Sequence, residues 1–197
     1  MTMSAPDPTY WRGVHHLALV TNDMDATVRF WHEVLGARLV VTLATPAFRH
    51  YFFEFAPGST VAFFEYRDQP LERYAKPAGV PYPRASQFDH LSLGLADEEA
   101  LLRLRDRLKS HDCEVTDVVD HGIMRSIYFS DNNGIALEAS WWTVDPTGRP
   151  ADLVDEHLFS DPDPVPAFAE LRATGEVAHT VTTQLVDEIT RDLYKPT

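Results

Sequence analysis

Three side chains in this sequence have the types and the spacing of a metal site. His16 and His90 each begin a short apolar stretch, and the two stretches stand 74 residues apart (90 − 16). Glu138 ends the segment Asp-Asn-Asn-Gly-Ile-Ala-Leu-Glu. Two neutral imidazoles and one carboxylate suit a divalent metal, and three protein ligands leave coordination positions open for substrate and oxygen. The alternative is that both histidines are hydrogen-bonded core residues and that Glu138 is a satisfied surface residue.

Charge and cysteine content exclude several other classes of function. The 197 residues include 30 acidic and 17 basic side chains, so the net charge of −13 gives no electrostatic reason to approach nucleic acid or an anionic membrane. The single cysteine, Cys113, excludes an intramolecular disulfide and a cysteine zinc cage. No apolar run approaches about 18 residues, and the first residues do not form a signal peptide pattern. We therefore expect a globular cytoplasmic protein.

An internal repeat predicts the elements that position these residues. A helical pattern follows each histidine, at residues 26–35 and 99–108, and three stretches rich in β-branched and aromatic residues follow each helix. These stretches cover residues 38–42, 49–55 and 59–66 in the first half, and 114–119, 125–129 and 135–141 in the second. Each half therefore reads as strand, helix and three strands.

The repeat predicts an α+β fold of two βαβββ modules, which form an open, barrel-like curved sheet around a metal cavity. The paired domain covers residues 12–142, with module one at about 12–68 and module two at about 86–142. Residues 143–197 form a Pro-rich C-terminal extension, and residues 184–194 have the pattern of a short amphipathic helix.

Strand parity predicts which way the three candidate ligands face. Alternate residues of a strand point to opposite sides of the sheet. The leucines that follow His16 and His90 must cover the helices, so both histidines face the cavity. The same argument places Glu138 on the cavity side of its strand, with Ile135 and Leu137 toward the helix.

Residues 13–20, 88–93 and 131–138 resemble the vicinal oxygen chelate superfamily, which contains glyoxalases, bleomycin-resistance proteins and extradiol dioxygenases. The resemblance covers residues 12 to about 142, and its most specific part is the Asp-x-x-Gly-x-x-x-Glu ending. It implies paired βαβββ modules around a metal ion that chelates two neighbouring oxygens of the substrate. By position, the implied ligands are His16, His90 and Glu138.

Members of this family differ in the residue at the end of module one. Glyoxalase-type members resemble a four-ligand site, whereas extradiol dioxygenases resemble a triad of two histidines and one carboxylate. Glu138 stands four residues after Gly134, and the equivalent position after Gly58 is Ala62, which cannot bind a metal. Glu65 lies an odd number of residues further on, so it reaches the cavity only through a bulge. The register favours three ligands and Fe(II), although Mn(II), Zn(II) and Ni(II) accept the same donors.

Further residues are candidates for catalysis and substrate binding. Tyr128 lies ten residues before Glu138, where extradiol dioxygenases resemble one another in having a tyrosine near the substrate hydroxyl. His121 lies in a loop before it and is interpreted as an acid–base group, with a solvated loop histidine as the alternative. His50, Phe52 and Phe64 are expected to line the substrate pocket, although His50 also has a structural interpretation.

The combined hypothesis is an Fe(II) extradiol-type dioxygenase that cleaves the ring of a catechol-like small molecule with vicinal oxygens, using O₂. Two alternatives use the same cavity: a glyoxalase-like isomerase, lyase or epimerase with a divalent metal, and a metal-free small-molecule binding protein of the drug-resistance kind. A homodimer is compatible with any of the three.

Overall fold

The computed structural model describes residues 2–3, 14–72, 78–80, 88–147 and 149–178. The chain divides into two compact units, of which one is Pro6–Asp145 and the other combines Met1–Ala5 with Pro146–Thr197. The first strand, β1 (Thr2–Met3), belongs to the second of these units.

Module one contains the first four-stranded sheet. Its elements are β2 (His16–Val20), α1 (Met24–Val28) with a π-helical continuation at Arg29–Val34, β3 (Arg38–Ala44), β4 (Phe48–Ala56) and β5 (Ser59–Tyr66). The strand order is β2-β5-β4-β3, in which β2 runs parallel to β5 and the other pairs are antiparallel.

Module two repeats this arrangement with a second sheet. Its elements are β6 (Leu91–Gly94), α2 (Glu98–Ser110), β7 (Val119–Asp120), β8 (Met124–Ser130) and β9 (Ala136–Trp142). The order β6-β9-β8-β7 matches that of the first sheet position by position. The predicted α+β fold of two βαβββ modules with open sheets is confirmed.

Helices α1 and α2 each follow an N-cap aspartate and cover one face of their sheet. The Asp23 carboxylate accepts a hydrogen bond from the Ala26 backbone N–H, and Asp97 does the same for Ala100, which satisfies an amide that has no partner within the helix. Apolar side chains from helices and strands then form the shared core, including Trp31, Phe53, Phe63, Leu101, Leu108, Ile127 and Leu137, all fully buried. We call the opposite side of each sheet its open face.

A buried polar network joins the turn before β9 to module one. The Trp31 indole N–H lies 3.2 Å from Asp131 Oδ2, and the Thr21 hydroxyl donates to Asn133 Oδ1 at 2.7 Å. The other oxygen of Asp131 accepts the backbone N–H groups of Asn133 and Ile135 at 2.8 and 2.9 Å. The Asp-x-x-Gly-x-x-x-Glu segment therefore fixes its own turn and also binds that turn to module one.

The strand predicted at residues 114–119 is largely wrong. Val115 makes an isolated bridge with Phe129, and β7 contains only two residues. The Thr116 side-chain oxygen accepts the Tyr128 backbone N–H at 3.0 Å, in a place where a regular ladder would use a backbone carbonyl. The Thr116 backbone N–H still donates to the Tyr128 carbonyl at 3.0 Å, so the side chain replaces one of the two backbone hydrogen bonds and a regular ladder does not continue.

The terminal unit contains a short sheet and a short helix. Strand β1 pairs antiparallel with β10 (Ala151–Asp152). Helix α3 (Pro166–Thr174) starts at a proline, which the first turn of a helix tolerates, and ends at Gly175 with a φ of 82°. The predicted helix at 184–194 lies outside the described residues. None of the helices seen in the described ranges is long and apolar enough to cross a membrane.

Candidate metal centre

His90 and Glu138 meet on the open face of module two. Glu138 lies on β9 opposite Ser92 of the neighbouring parallel strand, and His90 stands directly before that strand. The His90 Nε2 atom is 3.0 Å from Glu138 Oε2, and the Glu138 side chain is only 3% exposed. The other ring nitrogen, Nδ1, is 2.6 Å from an Asp89 carboxylate oxygen, which also accepts the Gly79 backbone N–H at 2.7 Å.

A hydrogen-bonded chain leads from Glu138 to the loop histidine. Tyr128 is the residue opposite Glu138 in the antiparallel β8–β9 pair, and its hydroxyl donates to Glu138 Oε1 at 2.8 Å. His121 Nε2 lies 2.8 Å from the same hydroxyl oxygen. Because the phenol has one hydrogen and gives it to the carboxylate, His121 must be the donor in its own contact. The structure therefore brings His90, Glu138, Tyr128 and His121 together.

Burial and hydrogen bonding act in opposite directions on Glu138. Burial alone raises the pKa of the Glu138 carboxyl, but hydrogen bonds from Ser126, Tyr128 and Ser92, together with the charge of His90, lower it below its usual value. Burial, followed by the contact with Glu138, raises the pKa of Tyr128 to about 12. At neutral pH the site therefore presents an ionised carboxylate and a neutral phenol. The carboxylate and the adjacent His90 imidazole are donors that fit a divalent metal.

A tight loop positions His121. The Asp120 carboxylate accepts the Gly122 backbone N–H at 2.8 Å and the Arg125 Nε–H at 3.2 Å. Gly122 has a φ of 83°, a conformation that favours glycine, and its carbonyl accepts the Thr143 hydroxyl at 2.9 Å. These contacts hold His121 beside Tyr128, although its side chain remains exposed.

His16, the third candidate ligand, lies on module one and does not join the pair. Its Nδ1 is 2.8 Å from His15 Nδ1, and its ring centroid lies 5.3 Å from Phe52 and 6.3 Å from His50. Across the part of the chain that the structure describes, no three His, Cys, Asp or Glu side chains are grouped so that they could hold a metal ion. Of the three predicted ligands, His90 and Glu138 are therefore in contact, and His16 lies apart from them on module one.

The three predicted pocket residues lie together on the open face of module one. The rings of His50 and Phe64 stack with centroids 3.6 Å apart, and Phe52 lies 4.4 Å from His50. His50 is 9% exposed, and its Nε2 atom has no hydrogen-bond partner. Burial, and then the neighbouring His16, lowers the pKa of His50.

The structure separates Ala62 from Glu65 as the register argument expects. Ala62 is the partner of Phe52 on β4, just as Glu138 is the partner of Tyr128 on β8. Glu65 instead forms an ion pair with Arg49 and accepts the Met24 backbone N–H at 3.3 Å, at the start of α1. The β4–β5 register is continuous through this region, so there is no bulge to turn Glu65 toward Ala62.

Sequence reasoning missed two groups that support Glu138 and His90. Asp89 directly precedes His90 and contacts its Nδ1, and the signal was an acidic residue adjacent to a candidate ligand. Ser126 hydrogen-bonds Glu138 and is completely buried. Sequence could have identified Ser126, because it stands two residues before Tyr128 on the same strand and therefore faces the same side of the sheet.

Comparison with known proteins agrees with this architecture. The family model described as the glyoxalase/bleomycin resistance protein/dioxygenase superfamily matches residues 13–139. The structure resembles a glyoxylase/bleomycin resistance protein/dioxygenase domain from Frankia sp. EAN1pec, with a TM-score of 0.58 and 22% identity over 67% of this chain and 98% of that chain. A glyoxalase family protein from Enterococcus faecalis gives a TM-score of 0.52 and 20% identity over 66% and 98%.

A search of curated proteins returns no match. The solved structures share the fold at low identity, whereas the family match covers both modules and includes His16, His90 and Glu138. The chain therefore belongs to the glyoxalase/bleomycin resistance protein/dioxygenase superfamily.

Proposed function

We propose that this protein is an Fe(II)-dependent, extradiol-type dioxygenase that cleaves the ring of a catechol-like substrate. His16, His90 and Glu138 are the proposed ligands. The observation that carries the proposal is the buried, ionised Glu138, which contacts His90 on one oxygen and Tyr128 on the other. A carboxylate and an imidazole in contact, next to a chain of proton donors, suit a metal that binds a substrate with two neighbouring oxygens.

The proposed active unit is a homodimer in which His16 of one copy joins His90 and Glu138 of the other. Two ligands meet within one chain, whereas His16 is exposed on the open face of module one. A two-fold symmetric dimer would pair each module one with the partner's module two and create two identical sites. This arrangement supplies the missing ligand without unfolding either module.

The residues of the chain have separate roles in the proposed reaction. A bound Fe(II) ion would supply Lewis acidity toward substrate oxygens and electrons for O₂ chemistry. Asp89 holds the His90 ring through Nδ1 so that Nε2 faces Glu138. His121 accepts a substrate hydroxyl proton and later returns it. Tyr128, whose hydroxyl hydrogen points at Glu138 in this structure, would turn that hydrogen toward charge that develops on the substrate oxygen. Phe52 and Phe64 orient the substrate ring.

The geometry supports this proposal over a glyoxalase-like isomerase with two carboxylate ligands. Such a site needs a second acid at the end of module one, where the chain has Ala62, and Glu65 is already bonded to Arg49 and the Met24 amide. A metal-free binding protein does not require an ionised, buried carboxylate such as Glu138, whereas a divalent metal does.

Anaerobic purification with metal analysis, followed by Fe(II) reconstitution, tests the proposed reaction. We expect one metal per chain and O₂ uptake with some members of a panel of catechols and hydroquinones. His90→Ala should lose the metal, and a full equivalent of metal in this variant would rule out the triad. Metal binding without O₂ uptake would favour the isomerase, lyase or epimerase class. Recovery of the unchanged small molecule after incubation, from a protein without stoichiometric metal, would favour the binding protein.

Mixing two inactive variants tests the shared site. His16→Ala and Glu138→Gln each destroy one half of every site in a homodimer. If sites are shared between copies, random pairing after mixing restores roughly a quarter of the wild-type activity, since half of the dimers carry one intact site. If each site lies within one chain, mixing restores nothing.

A further inference from the structure

The open face of module one carries a continuous aromatic surface. We call it the aromatic wall and define it as Phe48, His50, Phe52, Phe64 and Tyr66. The residues alternate along β4 and β5 and face one another across the pair, with Phe48 opposite Tyr66 and His50 opposite Phe64. The Phe64 and Tyr66 rings are parallel, with an interplanar angle of 6° and centroids 5.8 Å apart. Tyr66 is 40% exposed, so part of this surface is accessible.

Neighbouring strands continue the wall with small or apolar side chains. On β3, Val41 lies opposite Phe52 and Leu43 opposite His50, and these two are 40% and 52% exposed. On β2, Ala18 lies beside Ala62. Exposed apolar surface of this kind usually marks a binding site. The candidate ligand His16 lies at the border of the wall, with its ring 5.3 Å from Phe52.

One polar atom within the wall has no partner. His50 Nε2 is buried without a hydrogen bond, although the ring is in stacking contact with Phe64. A buried polar group without a partner destabilises a fold, so its presence needs an explanation such as a ligand that supplies the partner. The rings beside it, Phe52 and Phe64, are partly exposed and His16 is exposed, so a small shift of one of these side chains would bring a ligand on the wall to this buried atom.

None of the described residues that form the wall, on β2, β3, β4 and β5, is an arginine or a lysine. Arg49, which lies between Phe48 and His50 in sequence, points to the opposite face and pairs with Glu65. Arg38, at the far end of the sheet, pairs with Glu54. His50 itself is kept neutral by its burial. An anionic group on this surface would lose water without gaining a cation, which is unfavourable.

We infer that the aromatic wall binds the ring of an uncharged aromatic substrate, that His50 Nε2 hydrogen-bonds a polar substituent of that ring, and that anionic analogues are rejected. The inference rests on the proposed function for the position of the substrate beside the metal. It deepens that function by naming the charge class of the substrate and a specificity-determining residue.

The test compares two probes that differ by one carboxylate, catechol and 3,4-dihydroxybenzoate. Ligand-observed NMR titrations on the metal-free protein and on the Zn(II)-loaded protein measure binding without turnover. We expect catechol to bind at least about tenfold more tightly than 3,4-dihydroxybenzoate in both states, because the wall has no partner for the carboxylate. Equal binding of the two probes would overturn the inference.

Two variants at His50 separate its hydrogen bond from its packing. His50→Phe retains an aromatic ring between Phe52 and Phe64 but removes the nitrogen, and we expect about tenfold weaker catechol binding with an unchanged or higher unfolding midpoint. His50→Gln retains a polar nitrogen and should recover most of the affinity. Tyr51→Phe, on the adjacent residue and the opposite face, is the control and should bind as the wild type does. Unchanged affinity in His50→Phe would also overturn the inference.

The remaining outcomes distinguish this inference from the proposed reaction. A preference for catechol in a protein that consumes no O₂ supports the wall and contradicts the dioxygenase. O₂ uptake with 3,4-dihydroxybenzoate as the better substrate supports the dioxygenase and contradicts the inference about the wall. If neither probe binds and Phe64→Arg converts a dimer to monomers in sedimentation analysis, the wall is an interface between copies and the inference is wrong.

Discussion

The two modules have the same strand order but different chemistry at equivalent positions. In module two, Tyr128 lies opposite Glu138, and in module one, Phe52 lies opposite Ala62. The neighbouring pair is Ser126 with Ser140 in module two and His50 with Phe64 in module one. One open face is therefore polar and acidic, while the other is aromatic.

This difference shows how two copies of one fold can carry different functions, with metal binding in one module and ring binding in the other. The backbone register places each pair of side chains on the open face, whatever those side chains are. In module two, hydroxyl groups hydrogen-bond the Glu138 carboxylate, which suits a metal. In module one, the stacked rings suit a flat ligand. Variants that change one module toward the other, or that remove one module's contribution, test this division.

Removal of the module-two carboxylate should have the largest effect. Glu138→Gln keeps the side-chain volume but loses the charge, and we expect the metal content after dialysis to fall toward zero and turnover to drop by more than about 100-fold. Glu65→Gln removes the acid that faces α1 in module one and should leave both unchanged. Metal loss in Glu65→Gln would show that the two modules share carboxylate ligation after all.

Tyr128→Phe gives module two the ring that module one has at this position. We expect kcat to fall by about 100-fold with little change in metal content, because a proton donor beside Glu138 is lost while the ligands remain. Phe52→Tyr makes the opposite exchange and should change kcat by less than about twofold. Stopped-flow or electrode assays measure both, and equal losses in the two variants would contradict a division between the modules.

The residues before the two histidines provide a finer comparison. Asp89 contacts His90 Nδ1, and His15 contacts His16 Nδ1 in the equivalent position. Asp89→Asn should weaken metal affinity by about tenfold, since it removes the anionic partner that orients the ring. His15→Asn should have a smaller effect. Competition with a metal chelator measures both, and a larger loss in His15→Asn would reverse the assignment.

Acid should destabilise the two modules in different pH ranges. A lowered pKa means that the folded state holds the proton less tightly than the unfolded chain, so stability is present above the usual value and is lost as the pH falls. For His50 this loss begins near the usual value of 6.5, and for Glu138 near 4.5. Urea midpoints from pH 7 to pH 4 should fall less steeply in His50→Phe near pH 6 and in Glu138→Gln below pH 5.

Alkali should affect module two through Tyr128. Its pKa is raised from 10.0 to about 12, so the stability it contributes is present below pH 10 and is lost as the pH rises through about 12. Tyr128→Phe should abolish this part of the alkaline loss, and Phe52→Tyr should not reproduce it. Urea midpoints measured from pH 9 to pH 12 test this prediction, which has the smallest expected effect.

Much of the fold could be predicted because the repeat and strand parity are local properties. The offset between the two histidine segments located both modules, and parity placed Glu138 and Tyr128 on the same face. The π-helical continuation of α1 was not predicted, because a 3.6-residue apolar pattern does not distinguish it from an α-helix. The interrupted strand at Thr116 was missed for a similar reason, since the pattern of residue types does not reveal that its side chain takes the place of a backbone carbonyl.

The sequence by itself determined the family, the paired modules and the absence of an acid at Ala62, because these follow from residue types and their spacing. Only the tertiary structure decided that His90 and Glu138 meet while His16 remains on the other module. It also decided that Asp89 and Ser126 support the pair and that His50 Nε2 has no partner. Those facts depend on distances between residues far apart in the chain, and no local pattern encodes them.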